Sequence, residues 1–174
     1  MRSLLPIFLF AASTLAHGAD ERIEAPNVVP ITATLVTSGQ PTANALAHLG
    51  AQGYGAVIYL APTTVEDAVA GEAEIVRKQG LEWVNIPINF GKPTDEDVQT
   101  FFATMEKFKD KKVLVHCQVN MRASSMTFIY RAVVRHERPE LAYDAVSKVW
   151  SPRGVWKQLI VTQLRKASIP FEPY

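Results

Sequence analysis

The stretch that most constrains this chain runs over residues 113–124, VLVHCQVNMRAS. The apolar run 113–115 reads as a buried strand, and it ends in His116-Cys117. No proline follows before an amphipathic helix that the pattern starts near Ala123. The only cysteine therefore sits where a strand hands over to a helix, with Arg122 five positions on. Helix N-termini present unpaired N–H groups and the positive end of the macrodipole. That field favours a thiolate over a thiol. The same N–H groups cradle a tetrahedral oxyanion, and an arginine adds a planar, two-pronged donor for it. A cysteine after an apolar strand can equally be a small buried apolar residue. The combination of Cys117, Arg122, Ser124 and a strand-to-helix turn favours a nucleophile.

The chain has 174 residues, 48% of them hydrophobic, enough for one sizeable core. Lys and Arg number 18 against 17 Asp and Glu, so no charge excess points to nucleic acid or to an anionic membrane surface. A single cysteine makes no internal disulfide, and no Cys/His cluster has zinc spacing.

Residues 1–18 read as a secretory signal peptide. Arg2 is the positive region, 4–16 the apolar one, and Ala16-His17-Gly18 the cleavage site. The apolar part is short of the ~20 residues a membrane span needs, and it contains Pro6. The mature chain, 19–174, is expected to be a single domain, periplasmic or secreted, with no stable membrane insertion after cleavage.

Along that chain, 20–30 reads as a loose lead-in and 31–36 as an edge strand. Turn chemistry at 37–42 precedes a helix to about Ala51, with Leu46 and Leu49 facing inward. A parallel strand is expected at 56–60 and a helix over 65–78 capped by Thr63 or Thr64. The next strand spans 81–88. A loop follows at 89–93, then a helix from Thr94 to about Phe108, with Asp97 completing a capping box. Helices are expected over 139–149 and from Pro152, with Ser151 as N-cap, to Lys166. Residues 168–174 form a tail. Strands alternating with helices in this way imply an α/β fold, a mainly parallel central sheet flanked by helices. Ligand sites in such sheets lie beyond the carboxyl ends of the strands, which is where Cys117 falls. His48, Tyr143, Trp150 and Trp156 read as structural, and Lys92 as a surface lysine near the site.

Val115-His116-Cys117 with Ser124 resembles the signature of the cysteine-dependent phosphatases. Ser38-Gly39-Gln40-Pro41-Thr42, the apolar run from Gly55 to Leu60, and Ile86-Pro87 before a loop and helix are similar to a bacterial dual-specificity-phosphatase-like family. The resemblance covers about residues 35–135. It implies that Cys117 attacks phosphorus and that Arg122 and the loop of Gln118, Val119, Asn120 and Met121 hold the phosphate oxygens. It implies that His116 orients the loop, and that Ser124 hydrogen-bonds the sulfur, unless it only caps the helix. Gln118 and Asn120 could position water or simply face solvent. The substrate would be a phosphorylated protein or small phosphate ester, with no nucleic acid, and no metal or organic cofactor is implied.

Three departures stand out. Four residues separate Cys117 from Arg122, where the phosphatases have five; four is the rhodanese pattern, so sulfur transfer through a Cys117 persulfide is a second reading. The loop has no glycine, where both families usually place one, which leaves an idle oxyanion-binding module as a third. Asn89, a possible substrate contact, stands about where such phosphatases carry an Asp general acid. Asp95 is the nearest substitute, although an acid in a first helical turn is also explained by the dipole. Without an acid, aryl phosphates such as phosphotyrosine would react best, since general acid help is worth about 10²–10⁴ in rate.

Overall fold

The computed structural model describes residues 23–174, so the signal peptide read over 1–18 lies outside the described residues. The sheet is built from β1 (Val29–Thr32), β2 (Leu35–Ser38), β3 (Tyr54–Tyr59), β4 (Glu82–Asn85) and β5 (Lys112–His116), in the order β1-β2-β5-β3-β4. β1 is antiparallel to β2, and every other pairing is parallel. The helices are α1 (Ala43–Ala47), α2 (Glu72–Arg77), α3 (Asp95–Lys107), α4 (Met121–Val133), α5 (Pro139–Ser147) and α6 (Gly154–Lys166). This is the expected α/β architecture with helices on both faces of a mainly parallel sheet.

Strand alternation separates the two apolar layers. Ala56, Ile58, Val113 and Val115 face α3, α4, α5 and α6 through Phe101, Phe128, Tyr143 and Trp156. Val36, Tyr54, Val57 and Leu114 face α1, the turn after it and α2 through Leu46, Leu49 and Val76. β5 has a strand on each side and is buried from Val113 onward, as its unbroken apolar run requires.

Several elements depart from expectation. The single edge strand over 31–36 is instead a hairpin, because the Thr34 amide bonds the Thr32 hydroxyl at 3.2 Å and turns the chain. β2 is consequently internal and wholly buried. The helix expected over 65–78 is reduced to α2. Gly71, at φ 70°, provides its left-handed entry, and Thr63 and Thr64 do not cap it. α4 opens at Met121, two residues early, and it is not amphipathic. Every residue from Arg122 to Ala132 is buried, since α4 packs between the sheet and its neighbouring helices α3, α5 and α6. α6 begins at Gly154 with no side-chain cap, not at Ser151-Pro152. The tail is anchored: Tyr143 Oη donates to the Tyr174 carbonyl at 2.8 Å, and Phe171 packs 5.2 Å from the Tyr143 ring. The Thr94–Asp97 capping box forms as expected, with both reciprocal bonds. Among the described residues no helix is long and apolar enough to cross a membrane.

Candidate active site

The position of Cys117 follows from the strand order. β5 runs between β2 and β3, so its carboxyl end is held from both sides. The His116 carbonyl accepts from Leu60 N at 2.8 Å, and Cys117 N donates to the Ser38 carbonyl at 3.3 Å. The thiol is fully buried, and Leu60, Ile88, Ala123 and Met126 belong to the same apolar cluster.

From Cys117 the chain reaches α4 in four residues, and the missing glycine is replaced by Asn120. This residue is the α4 N-cap at φ 71°, ψ −1°, a left-handed conformation that asparagine tolerates better than most residues. The side chain is also used. Its Nδ2 donates to the Asn27 carbonyl at 2.6 Å and to Thr37 Oγ1 at 3.1 Å. Asn27 returns the contact by donating from its own Nδ2 to the Val119 carbonyl at 3.0 Å. Gln40 N donates to the Gln118 carbonyl at 2.9 Å, and Gly39 bridges Val119. A Cβ on Gly39 would lie 2.7 Å from the Gln118 carbonyl oxygen, so only glycine lets this strap approach the loop. Val119 itself is exposed and Met121 half-buried. The first-turn amides of α4, on Met121, Arg122 and Ala123, have no intrahelical acceptor, which leaves them as candidate donors to an anion.

Arg122 is held inward, with 6% of its surface exposed. Its Nε donates to the Ile88 carbonyl at 3.1 Å, and its Nη1 donates to Gln118 Oε1 at 3.3 Å. Phe90 lies with its ring 5.2 Å from the guanidinium carbon, a distance at which the ring face attracts the cation. Phe90 in turn packs near Trp156 and Trp150, at 5.6 and 5.9 Å, and its carbonyl accepts from Trp156 Nε1. The two tryptophans are therefore structural, as read from the sequence, but they back the residue that faces Arg122.

His116 is anchored on its far side. Its Nε2 lies 2.9 Å from Glu72 Oε1, and its ring stacks on Tyr59 at 4.7 Å. Glu72 also accepts from Trp83 Nε1 at 2.9 Å and Gln40 Nε2 at 2.7 Å. Burial pushes its carboxyl upward, but the bonds from His116, Trp83 and Gln40, with the His116 charge, outweigh this and hold it below the usual carboxylate range. Burial raises the Tyr59 phenol, and the electrostatic influence of Glu72, Asp67 and Cys117 adds to it.

Other expected roles are redistributed. The Ser124 hydroxyl donates to the Met121 carbonyl at 3.3 Å, within its own helix, in place of the sulfur. Asn89 is exposed, and its Oδ1 accepts from Gly91 N at 2.9 Å to form a turn. Asp95, weighed as a substitute acid, instead faces α6, accepting from Lys166 Nζ at 2.6 Å and from Gln163. The Lys166 bond leads the effects that hold its carboxyl low, the wrong direction for a proton donor. Asn27, Glu72 and Phe90 carry no signal in the sequence, and Gly39 stands there only as part of the 38–42 motif, without its approach to the Gln118 carbonyl. Asn27 meets the loop across more than ninety positions, and no local pattern announces such a contact.

A family model described as "DSP-PTPase phosphatase fused to NAD+ Kinase" matches residues 17–162. No curated protein matches the chain. Among solved structures, a DUF442 protein from Shewanella putrefaciens CN-32, described as a candidate phosphatase, is 30% identical with a TM-score of 0.75, covering 82% of this chain and 94% of that one. PTPMT1, in a complex with PI(5)P, is 19% identical with a TM-score of 0.67, over 81% of this chain and 96% of its own. The core catalytic domain of the PP-IP phosphatase SIW14 from S. cerevisiae is 13% identical with a TM-score of 0.63, over 86% and 98%. The last two likenesses speak for the fold.

Proposed function

This chain belongs to the family of dual-specificity-type cysteine phosphatases whose model it matches, and from that premise we propose that it hydrolyses phosphate monoesters through a phosphocysteine on Cys117. The observation that carries the proposal is one convergence. A free cysteine at the carboxyl end of β5, the open first turn of α4 and an inward-held Arg122 meet around a single four-residue loop.

The Cys117 thiolate attacks phosphorus, and the ester oxygen departs. Arg122 and the loop amides hold the equatorial oxygens, where charge accumulates. Water then cleaves the sulfur–phosphorus bond and regenerates the thiolate. Arg122 Nη1 is engaged by Gln118 Oε1, so an arriving oxyanion takes the place of that amide. Asn89 has no acidic proton to offer, so that position gives a leaving group no help, and aryl phosphates, phosphotyrosine among them, are the esters that need such help least. With the signal peptide over 1–18 removed, the enzyme acts in the periplasm or outside the cell on a phosphorylated protein or a small phosphate ester.

The test is p-nitrophenyl phosphate turnover by the native protein beside Cys117→Ser and Arg122→Ala. Turnover in the native protein, lost in Cys117→Ser and strongly reduced in Arg122→Ala, is expected. A native rate no higher than that of Cys117→Ser overturns the proposal. The same preparations, given thiosulfate and cyanide, report on sulfur transfer, and phosphate binding without turnover identifies an idle anion-binding module.

A further inference from the structure

The phosphatase chemistry leaves one role unfilled, the proton donor to the leaving group. Glu72 is buried and already accepts three hydrogen bonds. Asp95 is committed to Lys166 and Gln163 on α6. Asp67 differs from both. It lies in the turns that follow β3, and β3 is the parallel neighbour of β5, so both chains leave the sheet at the same end. It is exposed, and its Oδ1 accepts from Gln118 Nε2 at 2.9 Å. Gln118 is the residue after the nucleophile, and its other amide atom accepts from Arg122. Asp67, Cys117 and Arg122 are all close enough to act electrostatically on the Tyr59 hydroxyl. A solvent-facing carboxyl group is thus joined to the anion-binding arginine through a single side chain.

Resting on the phosphatase reading, we propose that Asp67 is the general acid of this site. In the first step the bond from Cys117 Sγ to phosphorus forms and the bond from phosphorus to the ester oxygen breaks. That oxygen takes the proton of the Asp67 carboxylic acid, leaving a carboxylate. In the second step water attacks phosphorus and gives its proton to that carboxylate, while the sulfur–phosphorus bond breaks and its electrons return to the thiolate. Phosphate leaves, and both groups are restored. The segment that carries Asp67 thereby does the work that the asparagine-bearing loop at residue 89 cannot do.

Asp67→Asn is the informative variant, because the amide oxygen still accepts from Gln118 while the titratable proton is gone. The experiment compares kcat/KM, which reports the steps up to leaving-group departure, for p-nitrophenyl phosphate, phenyl phosphate and an alkyl phosphate. The expected result is a loss in Asp67→Asn of about 10²–10⁴-fold on the alkyl ester, a smaller loss on phenyl phosphate and little change on p-nitrophenyl phosphate, whose anion needs no proton. Equal kcat/KM for native and variant across the series overturns the proposal. A uniform drop on all three esters also overturns it, since that pattern marks a residue that only positions Gln118. If the native protein shows no Cys117-dependent turnover of any ester, the phosphatase reading falls and this assignment falls with it.

Discussion

The side-chain amide of Asn120 donates a 2.6 Å hydrogen bond to the backbone carbonyl of Asn27, tying the loop after Cys117 to the first described segment of the chain. Asn120 carries two separable functions, a left-handed backbone at φ 71° and this buried clamp. Asn120→Gly keeps the first and loses the second. Asn120→Ala loses both, and it should be the less stable of the two by about 1–2 kcal/mol, the usual cost of the left-handed region for a residue with a Cβ. Urea unfolding of the two variants measures the difference. Equal stabilities would show that the backbone conformation carries no penalty here.

The Glu72–His116 contact predicts an acid-sensitive fold. The folded protein holds the Glu72 carboxyl below its ordinary value of 4.5, so the unfolded chain binds that proton more readily. The stabilisation is therefore complete above about pH 4.5 and is lost as pH falls through the lower folded value. Glu72→Gln removes the charge and should flatten this part of the stability–pH curve. Glu72→Ala leaves the donors on His116, Trp83 and Gln40 without their acceptor, and it should cost about 3–5 kcal/mol even at neutral pH. Denaturant unfolding across pH checks both outcomes.

The legible parts of this protein were those encoded locally. The apolar run of β5, the Thr94–Asp97 cap and the strand-to-helix placement of Cys117 all depend on residues within a few positions of one another, and all are found. What the sequence hid was long-range. The loop needs a left-handed residue, and a search for glycine passes over Asn120. Residues 65–70 look helical by composition, but they form turns, and α2 starts only where Gly71 can adopt φ 70°. Asp95 looked like a spare acid because Lys166, seventy-one positions later, shares no pattern with it. A helix buried on every side, such as α4, gives no amphipathic signal by which to place its start.

Gly39 should be intolerant of any side chain. A Cβ there would sit 2.7 Å from the Gln118 carbonyl and 2.9 Å from Pro26 Cβ. Neither neighbour is a flexible side-chain tip, so the loop or the strap must move. Gly39→Ala is expected to destabilise by about 1–3 kcal/mol, as overpacking does, and to lower p-nitrophenyl phosphate turnover by more than the fraction unfolded explains. Thermal unfolding and activity, measured on the same preparation, separate the two effects.

Phe90 makes the last prediction, because its ring lies 5.2 Å from the carbon of the guanidinium that is to hold phosphate. At 38% exposure it is too open to be explained by core packing alone. Its contacts with Trp150 and Trp156 set it in place, and the Ile88 carbonyl fixes Arg122 from the other end of the same segment. Removing the ring in Phe90→Ala deletes a partly solvated cation–π contact worth about 1 kcal/mol, which corresponds to a loss of roughly fivefold in oxyanion affinity. Phe90→Trp keeps an aromatic face and should retain most of that affinity, whereas Phe90→Leu keeps apolar bulk without the ring and should resemble alanine. Vanadate inhibition constants for the three variants, with thermal unfolding as a control, test the assignment. If leucine matched the native residue, simple packing would suffice and the ring would have no electrostatic role.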